Sequence, residues 1–486
     1  MQDATLHGAA AYQAIRRGIC SMEASSRGAM GLTAILLGFL VTGQTATESD
    51  EPRNVVLFVG DGMGLSTVTA ARILDGQNNG LAGEEHLLSF ERFPNVALIK
   101  TYNTDAQVPD SAGTMTALVT GYRTRAGVLS IGPEAARGDC EAGLNHQLTT
   151  LLEEAEQRGY RTGLVSTARI THATPAAAYA HSADRGWELP GTLPEGARGK
   201  CADIARQLIE FPYGDGVDLV LGGGRAMFLP TTAPDPEDPQ GTGRRRDGRN
   251  LVEEWLAVAE DRRFVHDSAG FGALGPTGGQ VLGLFEASHM EFEADRADDT
   301  GGEPSLAEMT RHAISRLEGT PGYFLIVEGG RIDHAHHAGN AYRALVDAIA
   351  FADAVGVAAS ATDVDDTLIL VTADHSHTLT ISGYPARGNP ILGFAADGDG
   401  EPLKDMVGVP YTTLGYANGP GARRPDTELS PTDPDYRQRA THPMLAETHA
   451  GEDVPAYARG PGAEGVRGVM DQHELHAVMR GALFGE

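Results

Sequence analysis

The chain has 486 residues, enough for one large domain or two closely packed ones. Hydrophobic residues make up 41% and charged residues 21%, as in ordinary globular proteins. Asp and Glu number 66 against 38 Lys and Arg, which gives a formal net charge of -28. This acidity repels phosphate backbones and excludes nucleic acid as a dedicated partner. Any phosphate site must therefore carry its own local positive charge.

Residues 1–46 have the pattern of a signal peptide or N-terminal extension. Arg16, Arg17 and Arg27 precede the apolar stretch Gly31–Val41, and small and polar residues follow it. The stretch is too short to span a bilayer but suits the core of a secretory signal. A disordered tail or a membrane anchor is the alternative. The pattern predicts a periplasmic or secreted protein, and no later segment predicts a transmembrane span.

Of the three cysteines, Cys20 falls within this N-terminal segment, and Cys140 and Cys201 remain. An even pair in an exported chain is compatible with one disulfide bond. Two unpaired, buried thiols are the alternative.

The rest of the chain alternates apolar runs with amphipathic segments. Short apolar runs predict strands buried on both faces; they are Asn54–Gly60, Arg161–Thr167, Val217–Leu221, Tyr323–Val327 and Thr367–Thr372. Apolar residues spaced three and four apart predict helices; these lie at Leu148–Arg158, Leu306–Leu317 and Tyr342–Val355. The alternation predicts an α/β fold with a central, mostly parallel sheet between two helix layers. Residues 382–442, rich in Gly, Pro and Tyr, predict a smaller insertion.

Metal-type ligands follow four of these apolar runs. In open α/β sheets, ligands bind beyond the carboxyl ends of the strands, so these side chains are expected to share one site. The candidates, in chain order, are Asp61, His172, Thr174, Glu328, Asp333, His334, His336, His337, Asp374, His375, His377 and, in a later segment, His449.

The mixture of ligand types indicates more than one kind of metal ion. Asp with His suits Zn²⁺, whereas Asp, Glu and Thr oxygens suit Mg²⁺. Asp333 and His337 are four residues apart and would face the same side of one helical turn. Taken singly, each histidine has an ordinary structural interpretation. Taken together, they predict a metal centre.

A serine also lies where a nucleophile is expected. Ser111 stands in the segment Pro109–Thr114, directly before a helix-like run. A helix N-terminus favours anions such as phosphate. A helix cap is the simpler interpretation of this segment alone, because Ser and Asp are common caps. Coordination to a zinc ion would lower the pKa of the Ser111 hydroxyl.

The chain resembles the alkaline phosphatase family from about Asn54 to Leu475. The matching motifs run in the same order, namely VGDGMG, DSAGT, THATPAAAYAH, LGGGR, VEGGRIDHAHH, VTADHSH and ETHAGEDVPAYARG. The resemblance implies that residues 47–486 form the catalytic domain, with 382–442 as a crown-like insertion. It implies hydrolysis of small phosphate monoesters through a phosphoserine at Ser111, with two zinc ions and one magnesium ion. It also implies a homodimer.

The resemblance assigns a role to each site residue. The first zinc site is Asp333, His337 and His449, and the second is Asp61, Asp374, His375 and Ser111. The magnesium site is Asp61, Thr174 and Glu328. Arg185 is the arginine that holds the phosphate. His172 would reach the magnesium ion through water, and His334 would act from behind the ligands.

One branch of the family adds two further features. These are a disulfide that matches Cys140–Cys201 and a calcium site that maps to Glu237, the Phe285 carbonyl, Glu286 and Glu303. At the position of Glu303 the family has Asp, and two extra residues precede it in this chain. The sequence therefore does not decide whether a calcium site is present.

Two other functions remain as alternatives. A phosphodiesterase or sulfatase on a related scaffold is the first. Ser111 lacks the sequence context of a sulfatase, and Thr174 and Glu328 favour the monoesterase. A phosphate- or metal-binding protein without turnover is the second, and the presence of Ser111 beside every metal position disfavours it.

Overall fold

The computed structural model describes residues 53–238, 240–422 and 429–485. The expected signal peptide and extension, residues 1–46, lie outside the described residues. The disulfide between Cys140 and Cys201 is present, and it joins segments 61 residues apart.

Ten of the fifteen strands in the described residues form one sheet, in the order β15-β2-β14-β8-β1-β7-β3-β4-β6-β5. The strands are β1 (Asn54–Gly60), β2 (Asn95–Lys100), β3 (Arg161–Arg169), β4 (Leu219–Gly223), β5 (Arg263–Val265), β6 (Val281–Leu284), β7 (Tyr323–Gly329), β8 (Thr367–Ala373), β9 (Ser376–His377), β10 (Leu379–Ile381), β11 (Leu414–Gly419), β12 (Ala440–Pro443), β13 (His449–Ala450), β14 (Val454–Arg459) and β15 (Gly468–Asp471).

The centre of the sheet is parallel and buried on both faces. Every residue of β1, β7 and β8 is buried, as their continuous apolar sequences predict. Only β14 runs antiparallel, against both β2 and β8. The prediction of a mostly parallel sheet is therefore confirmed.

Thirteen α-helices occur in the described residues. They are α1 (Leu65–Asn78), α2 (Ser111–Thr120), α3 (Cys140–Asn145), α4 (Leu151–Gln157), α5 (Ala173–Tyr179), α6 (Ile204–Ile209), α7 (Arg225–Phe228), α8 (Leu251–Leu256), α9 (Ser268–Gly272), α10 (Leu306–Leu317), α11 (Arg331–His337), α12 (Ala341–Ala361) and α13 (Glu474–Phe484). Helices α1, α10, α11 and α12 pack in one group, helices α2, α4, α5 and α13 in another, and both groups contact the central strands. The sheet is thus flanked by helices, as predicted.

Helix α4 begins three residues later than the apolar spacing predicts. Thr150 caps it by accepting from the Glu153 amide, and the Glu153 side chain accepts in return from the Thr150 amide. This capping box fixes the start of the helix and leaves Leu148 outside it.

Helix α12 is the one described helix that is long and apolar enough to cross a membrane, by length and composition alone. Half of its most apolar window is buried inside the protein. Its Phe351 ring packs edge-on against Phe58 of β1 and Phe90. The packing is that of a core helix.

The predicted insertion contains a separate small sheet. Strand β11 pairs antiparallel with β10 and parallel with β12, and we call these three strands the small sheet. Strand β10 (Leu379–Ile381) lies directly before residues 382–442, and β12 ends one residue after them, at Pro443.

Candidate metal centre and nucleophile

Strand register brings the first carboxylates together. In the parallel pairing of β1 with β8, Gly60 lies opposite Ala373, so Asp61 and Asp374 leave neighbouring strands side by side. In the pairing of β1 with β7, Val59 lies opposite Glu328. Three carboxylates therefore meet at the carboxyl edge of the sheet, where the sequence predicts them.

Four groups of potential metal ligands occur in the described residues, each with ligand atoms within 4.8 Å of one another. Group A is Asp333, His337, His377 and His449; group B is Asp61, Asp374 and His375; group C is Asp61, His172 and Glu328; group D is Glu237, Glu286 and Asp299. Groups B and C share Asp61, so they are adjacent.

Group B lies beside the Ser111 hydroxyl. Asp61, Asp374 and His375 are fully buried, and Ser111 Oγ lies 3.2 Å from His375 Nε2. The turn after β1 needs Gly62, whose φ is +71° and whose added Cβ would collide with the His377 ring. The Gly62 amide donates to Asp374 Oδ1 at 2.9 Å and so fixes one side of that carboxylate.

Ser111 is the first helical residue of α2, and the cap is its neighbour. Asp110 has an extended backbone and its side chain accepts from the Gly113 amide. The interpretation of Ser111 as the cap is therefore wrong, because Asp110 already satisfies the free amide. The Ser111 hydroxyl is left to face His375 at the helix N-terminus, where an anion is favoured.

Group C adds Glu328 at the end of β7. Thr174 lies in the first turn of α5, and its side chain is a neighbour of Glu328, where it partly offsets the rise in pKa that burial causes. Its hydroxyl is buried and has no hydrogen-bond partner among the described residues. His172 offers a ring nitrogen to this group, although the sequence comparison expected it to act through water. Its Nδ1 is likewise buried and unpartnered within the described part of the chain.

Group A contains the three expected residues and one more. Helix α11 carries Asp333 and His337, four residues apart, and the short ladder between β13 and β9 sets His449 opposite His377. His377 Nε2 lies 2.7 Å from Asp333 Oδ1. Its other ring nitrogen bonds the buried Glu447 carboxylate. His377 is among the candidates that follow the predicted strands, but the family resemblance assigns it no role; the alternate spacing of His375 and His377 is the signal in the sequence.

The charges of these groups are unbalanced without cations. Both oxygens of Asp61 and Oε1 of Glu328 are buried with no hydrogen-bond partner among the described residues. Burial, together with the charge of Asp374, raises the pKa of Asp61 well above its usual value. Burial also raises the pKa of Glu328 to about 7. Unpaired buried carboxylates are costly, and bound cations would satisfy them.

Asp333 differs from its neighbours. Burial alone would raise the pKa of its carboxyl, but hydrogen bonds from His377 and His449 outweigh burial and hold it well below the usual range. Asp333 is therefore held as a carboxylate among imidazoles. Asp with His is the donor set that Zn²⁺ prefers.

Arg185 reaches the same region from the loop after α5. One guanidinium nitrogen lies 3.1 Å from Asp110 Oδ2 and another lies 3.2 Å from His172 Nε2. Asp110 is the residue before Ser111, so the guanidinium stands next to the nucleophile candidate. Two guanidinium N–H groups can grip two oxygens of one phosphate.

Group D differs from the predicted calcium ligands at one position. Asp299, and not Glu303, completes the cluster with Glu237 and Glu286. Glu303 is buried, its Oε1 accepts from the Glu291 amide, and burial together with the charges of Glu286 and Asp299 raises its pKa to about 9. The predicted Phe285 carbonyl accepts from the Arg225 guanidinium at 2.9 Å. Asp299 lies four residues before Glu303, and the sequence motifs do not single it out.

His334 and His336, the two remaining candidate histidines, lie next to the ligand groups. The His334 ring contacts that of His289, a residue that sequence reasoning missed; the ring centroids are 4.0 Å apart and the planes are tilted by 59°. His336 is buried and bonds to Thr67 and Tyr416. Neither belongs to the four ligand groups of the described residues.

Fold and site together are those of an α/β enzyme with a buried centre for metal ions and a serine beside it. Comparison with known proteins agrees. The family model for alkaline phosphatase matches residues 52–484. The tissue-nonspecific alkaline phosphatase of Gallus gallus is 44% identical over 451 residues, covering 89% of this chain and 85% of that protein. An alkaline phosphatase of Gadus morhua is 41% identical over 453 residues, covering 90% and 93%.

A solved structure shares the fold. The alkaline phosphatase of Thermus thermophilus superposes with a TM-score of 0.64 at 24% identity, covering 90% of this chain and 92% of that one.

The chain belongs to the alkaline phosphatase family, a family of metal-dependent phosphoric monoester hydrolases. The resemblance inferred from the sequence motifs is confirmed, and with it the assignment as an enzyme that acts on phosphate monoesters.

Proposed function

We propose that this enzyme hydrolyses phosphate monoesters through a phosphoserine at Ser111, with two zinc ions and one magnesium ion. The observation that carries the proposal is the buried meeting of Asp61, Asp374 and His375 with the Ser111 hydroxyl. Asp61 has two unpartnered oxygens there, within the described residues, and belongs to two ligand groups.

Each metal position follows from the donor chemistry. Asp333, His337 and His449 of group A suit zinc, and His377 orients Asp333 from behind. Group B, with Ser111, suits the second zinc. Asp61 and Glu328 of group C, joined by the Thr174 hydroxyl, supply the oxygens that magnesium prefers. Bound cations there would lower the pKa of the serine hydroxyl and of a water, and neutralise charge on the phosphoryl group.

The residues of the chain carry out two displacements. Arg185 holds two phosphate oxygens, so that Ser111 Oγ faces phosphorus opposite the leaving alcohol. The Ser111–phosphorus bond forms as the bond to the alcohol oxygen breaks. The Ser111 hydroxyl loses its proton to solvent, and the departing alcohol takes one up, so the step is balanced. Water then attacks phosphorus from the vacated side, releasing inorganic phosphate and restoring the serine.

Calcium binding at group D belongs to the same proposal. Glu237 Oε1 and Asp299 Oδ2 are buried and lack hydrogen-bond partners among the described residues. Crowded carboxylate oxygens suit calcium. Glu237, Glu286 and Asp299 are then ligands.

Export and dimerisation complete the proposal. The disulfide fits an oxidising compartment such as the periplasm or the extracellular space.

The region around the small sheet exposes large apolar side chains, among them Tyr384, Met406 and Leu445. Exposed apolar groups of this kind suit an interface with a second copy. Sedimentation of the wild type against Met406→Glu tests this, and a monomeric wild type would contradict it.

The test of the function is turnover of 4-nitrophenyl phosphate after chelation. Activity should vanish on chelation, return substantially with Zn²⁺, and rise further with Mg²⁺. Ser111→Ala should lower kcat by on the order of 1,000-fold or more while zinc binding persists. A wild type that ignores chelators, or prefers bis(4-nitrophenyl) phosphate, would contradict the proposal.

A further inference from the structure

His336 is a buried histidine that joins three elements of the fold. It lies in α11, three residues after Asp333 and one before His337. Its Nε2 lies 3.0 Å from the Thr67 hydroxyl of α1, and its Nδ1 lies 2.8 Å from the Tyr416 hydroxyl of β11 in the small sheet. The ring of His336 is fully buried, and Thr67 and Tyr416 are at least 97% buried.

These contacts give each ring nitrogen of His336 one hydroxyl partner. A neutral imidazole has one donor nitrogen and one acceptor nitrogen, so one hydroxyl donates to the ring and the other accepts from it. Neither the Thr67 nor the Tyr416 hydroxyl has another side-chain partner among the described hydrogen bonds. Loss of either hydroxyl would leave a buried ring nitrogen unpaired, which is costly.

The His336 ring also contacts group A, the candidate zinc site. His336 stacks on His377, with ring centroids 4.8 Å apart and planes 29° from parallel. His377 in turn lies 2.7 Å from Asp333 Oδ1. The chain Tyr416–His336–His377–Asp333 therefore runs from the small sheet to a metal ligand through buried contacts. Helix α1, on the other side, begins four residues after Asp61 of group B.

We propose that Tyr416 and His336 are positioning residues that tie the small sheet to the metal centre and thereby set the zinc affinity of group A. The inference rests on the proposed function, because it requires group A to bind zinc. The geometry of Asp333 and His337 depends on the placement of α11 and on the His377 ring. Groups that orient metal ligands from behind typically change metal affinity by 10- to 100-fold.

A simple packing role makes a different prediction. If His336 and Tyr416 only fill space, their hydrogen bonds matter for folding and leave zinc affinity unchanged. If they position group A, removing the Tyr416 hydroxyl weakens zinc binding, and it does so only while His336 is present. The two effects should then be strongly non-additive.

The experiment is a mutant cycle on the zinc-loaded enzyme, with zinc transfer to a chromogenic chelator as the readout. The variants are Tyr416→Phe, His336→Phe and the double variant. Tyr160→Phe is the matched control, because its hydroxyl donates to the Leu483 carbonyl at 2.7 Å, away from groups A to D. Each single variant should weaken zinc binding by on the order of 10-fold. The double variant should be no weaker than His336→Phe.

Activity supplies a second readout. At low zinc, Tyr416→Phe should lose turnover, and excess zinc should restore it without a change in KM. Should His336→Phe fail to fold, Thr67→Val takes its place, since it removes the other hydroxyl with the side-chain shape kept.

Three outcomes would overturn the inference. The first is zinc affinity in Tyr416→Phe equal to that of the wild type and Tyr160→Phe. The second is free-energy effects of the single variants that add in the double variant. If either result is found while the wild type hydrolyses monoesters and binds zinc, this inference is wrong and the proposed function stands. The third is a wild type that binds no zinc, which would sink the proposed function with it.

Discussion

At the scale of single residues, Arg185 stands between two functional neighbours. It contacts Asp110, the residue before Ser111, and His172 of group C. The partly buried Asp110 carboxyl has a lowered pKa, because Arg185 and the amides of Gly127 and Gly113 outweigh the effect of burial. Asp110 is thus a fixed negative charge that orients the guanidinium toward the space above Ser111.

Arg185→Ala should therefore weaken phosphate recognition more than metal binding. We expect kcat/KM for 4-nitrophenyl phosphate to fall by about 10- to 100-fold, as loss of charge-assisted hydrogen bonds implies. Inhibition by inorganic phosphate should weaken in parallel. Arg137→Ala is the control, since Arg137 pairs with Asp184 at the surface. Unchanged phosphate inhibition in Arg185→Ala would contradict the role.

A second prediction concerns a buried ion pair. His181 Nε2 lies 2.7 Å from Glu153 Oε1, and its Nδ1 lies 2.8 Å from the Ser130 carbonyl. Burial would lower the pKa of His181, but Glu153 outweighs it and raises the pKa above its usual value. The ion pair contributes its full stabilisation at pH values below the pKa of histidine in the unfolded chain, about 6.5. This stabilisation is lost as the pH rises through the higher pKa of His181 in the folded protein.

Glu153→Gln should destabilise the protein by about 1–2 kcal/mol at pH 6 and by less at pH 9. Urea midpoints of wild type and variant, compared at both pH values, measure this difference. Glu141→Gln, at an exposed position, is the control. A loss of stability in Glu153→Gln that is larger at pH 9 than at pH 6 would contradict this prediction.

Much of the site could be predicted at this scale. Asp61, Asp374 and His375 follow buried strands, so the rule for strand ends was sufficient to place them together. His377 and Glu447 could not be predicted as partners, because they meet only through the ladder of β9 with β13 and a loop contact. Asp299 could not be predicted either, since it follows no predicted strand and meets Glu237 and Glu286 only in the folded chain.

At the scale of elements, the disulfide ties α3 to the segment before α6. It closes a loop of 61 residues, and such a cross-link mainly restricts the unfolded chain. The double variant Cys140→Ser, Cys201→Ser should lose about 2–4 kcal/mol of stability. Its midpoint of thermal inactivation should fall, while kcat at 25 °C stays near that of the wild type. An unchanged midpoint would mean that the loop is held by its other contacts.

Strands could be predicted from the sequence where all of their residues are buried. Strand β1 has the predicted bounds, and the structure extends β7 by Glu328 and Gly329 and β8 by Ala373, which are residues that lead into the site. Strand β2 escaped prediction because its exposed and buried positions alternate at the side of the sheet. Strand β14 escaped because its antiparallel place between β2 and β8 is set by distant partners.

At the scale of the whole molecule, the net charge of -28 opposes the approach of an anionic substrate. Added salt screens this long-range repulsion far more than the short contacts inside a buried site. KM for 4-nitrophenyl phosphate should therefore fall by about two-fold between low ionic strength and about 0.15 M NaCl, with kcat unchanged. A KM that rises with salt would show that the local field of the site controls encounter.

The central claim is that distant side chains meet around metal ions beside Ser111. Anomalous diffraction at the zinc absorption edge, from crystals grown with Zn²⁺ and Mg²⁺, tests it most directly. The account predicts one zinc peak among Asp333, His337 and His449 and another between Asp61, Asp374 and His375, within bonding distance of Ser111 Oγ. Zinc absent from the second position, or bound there out of reach of Ser111, would contradict it.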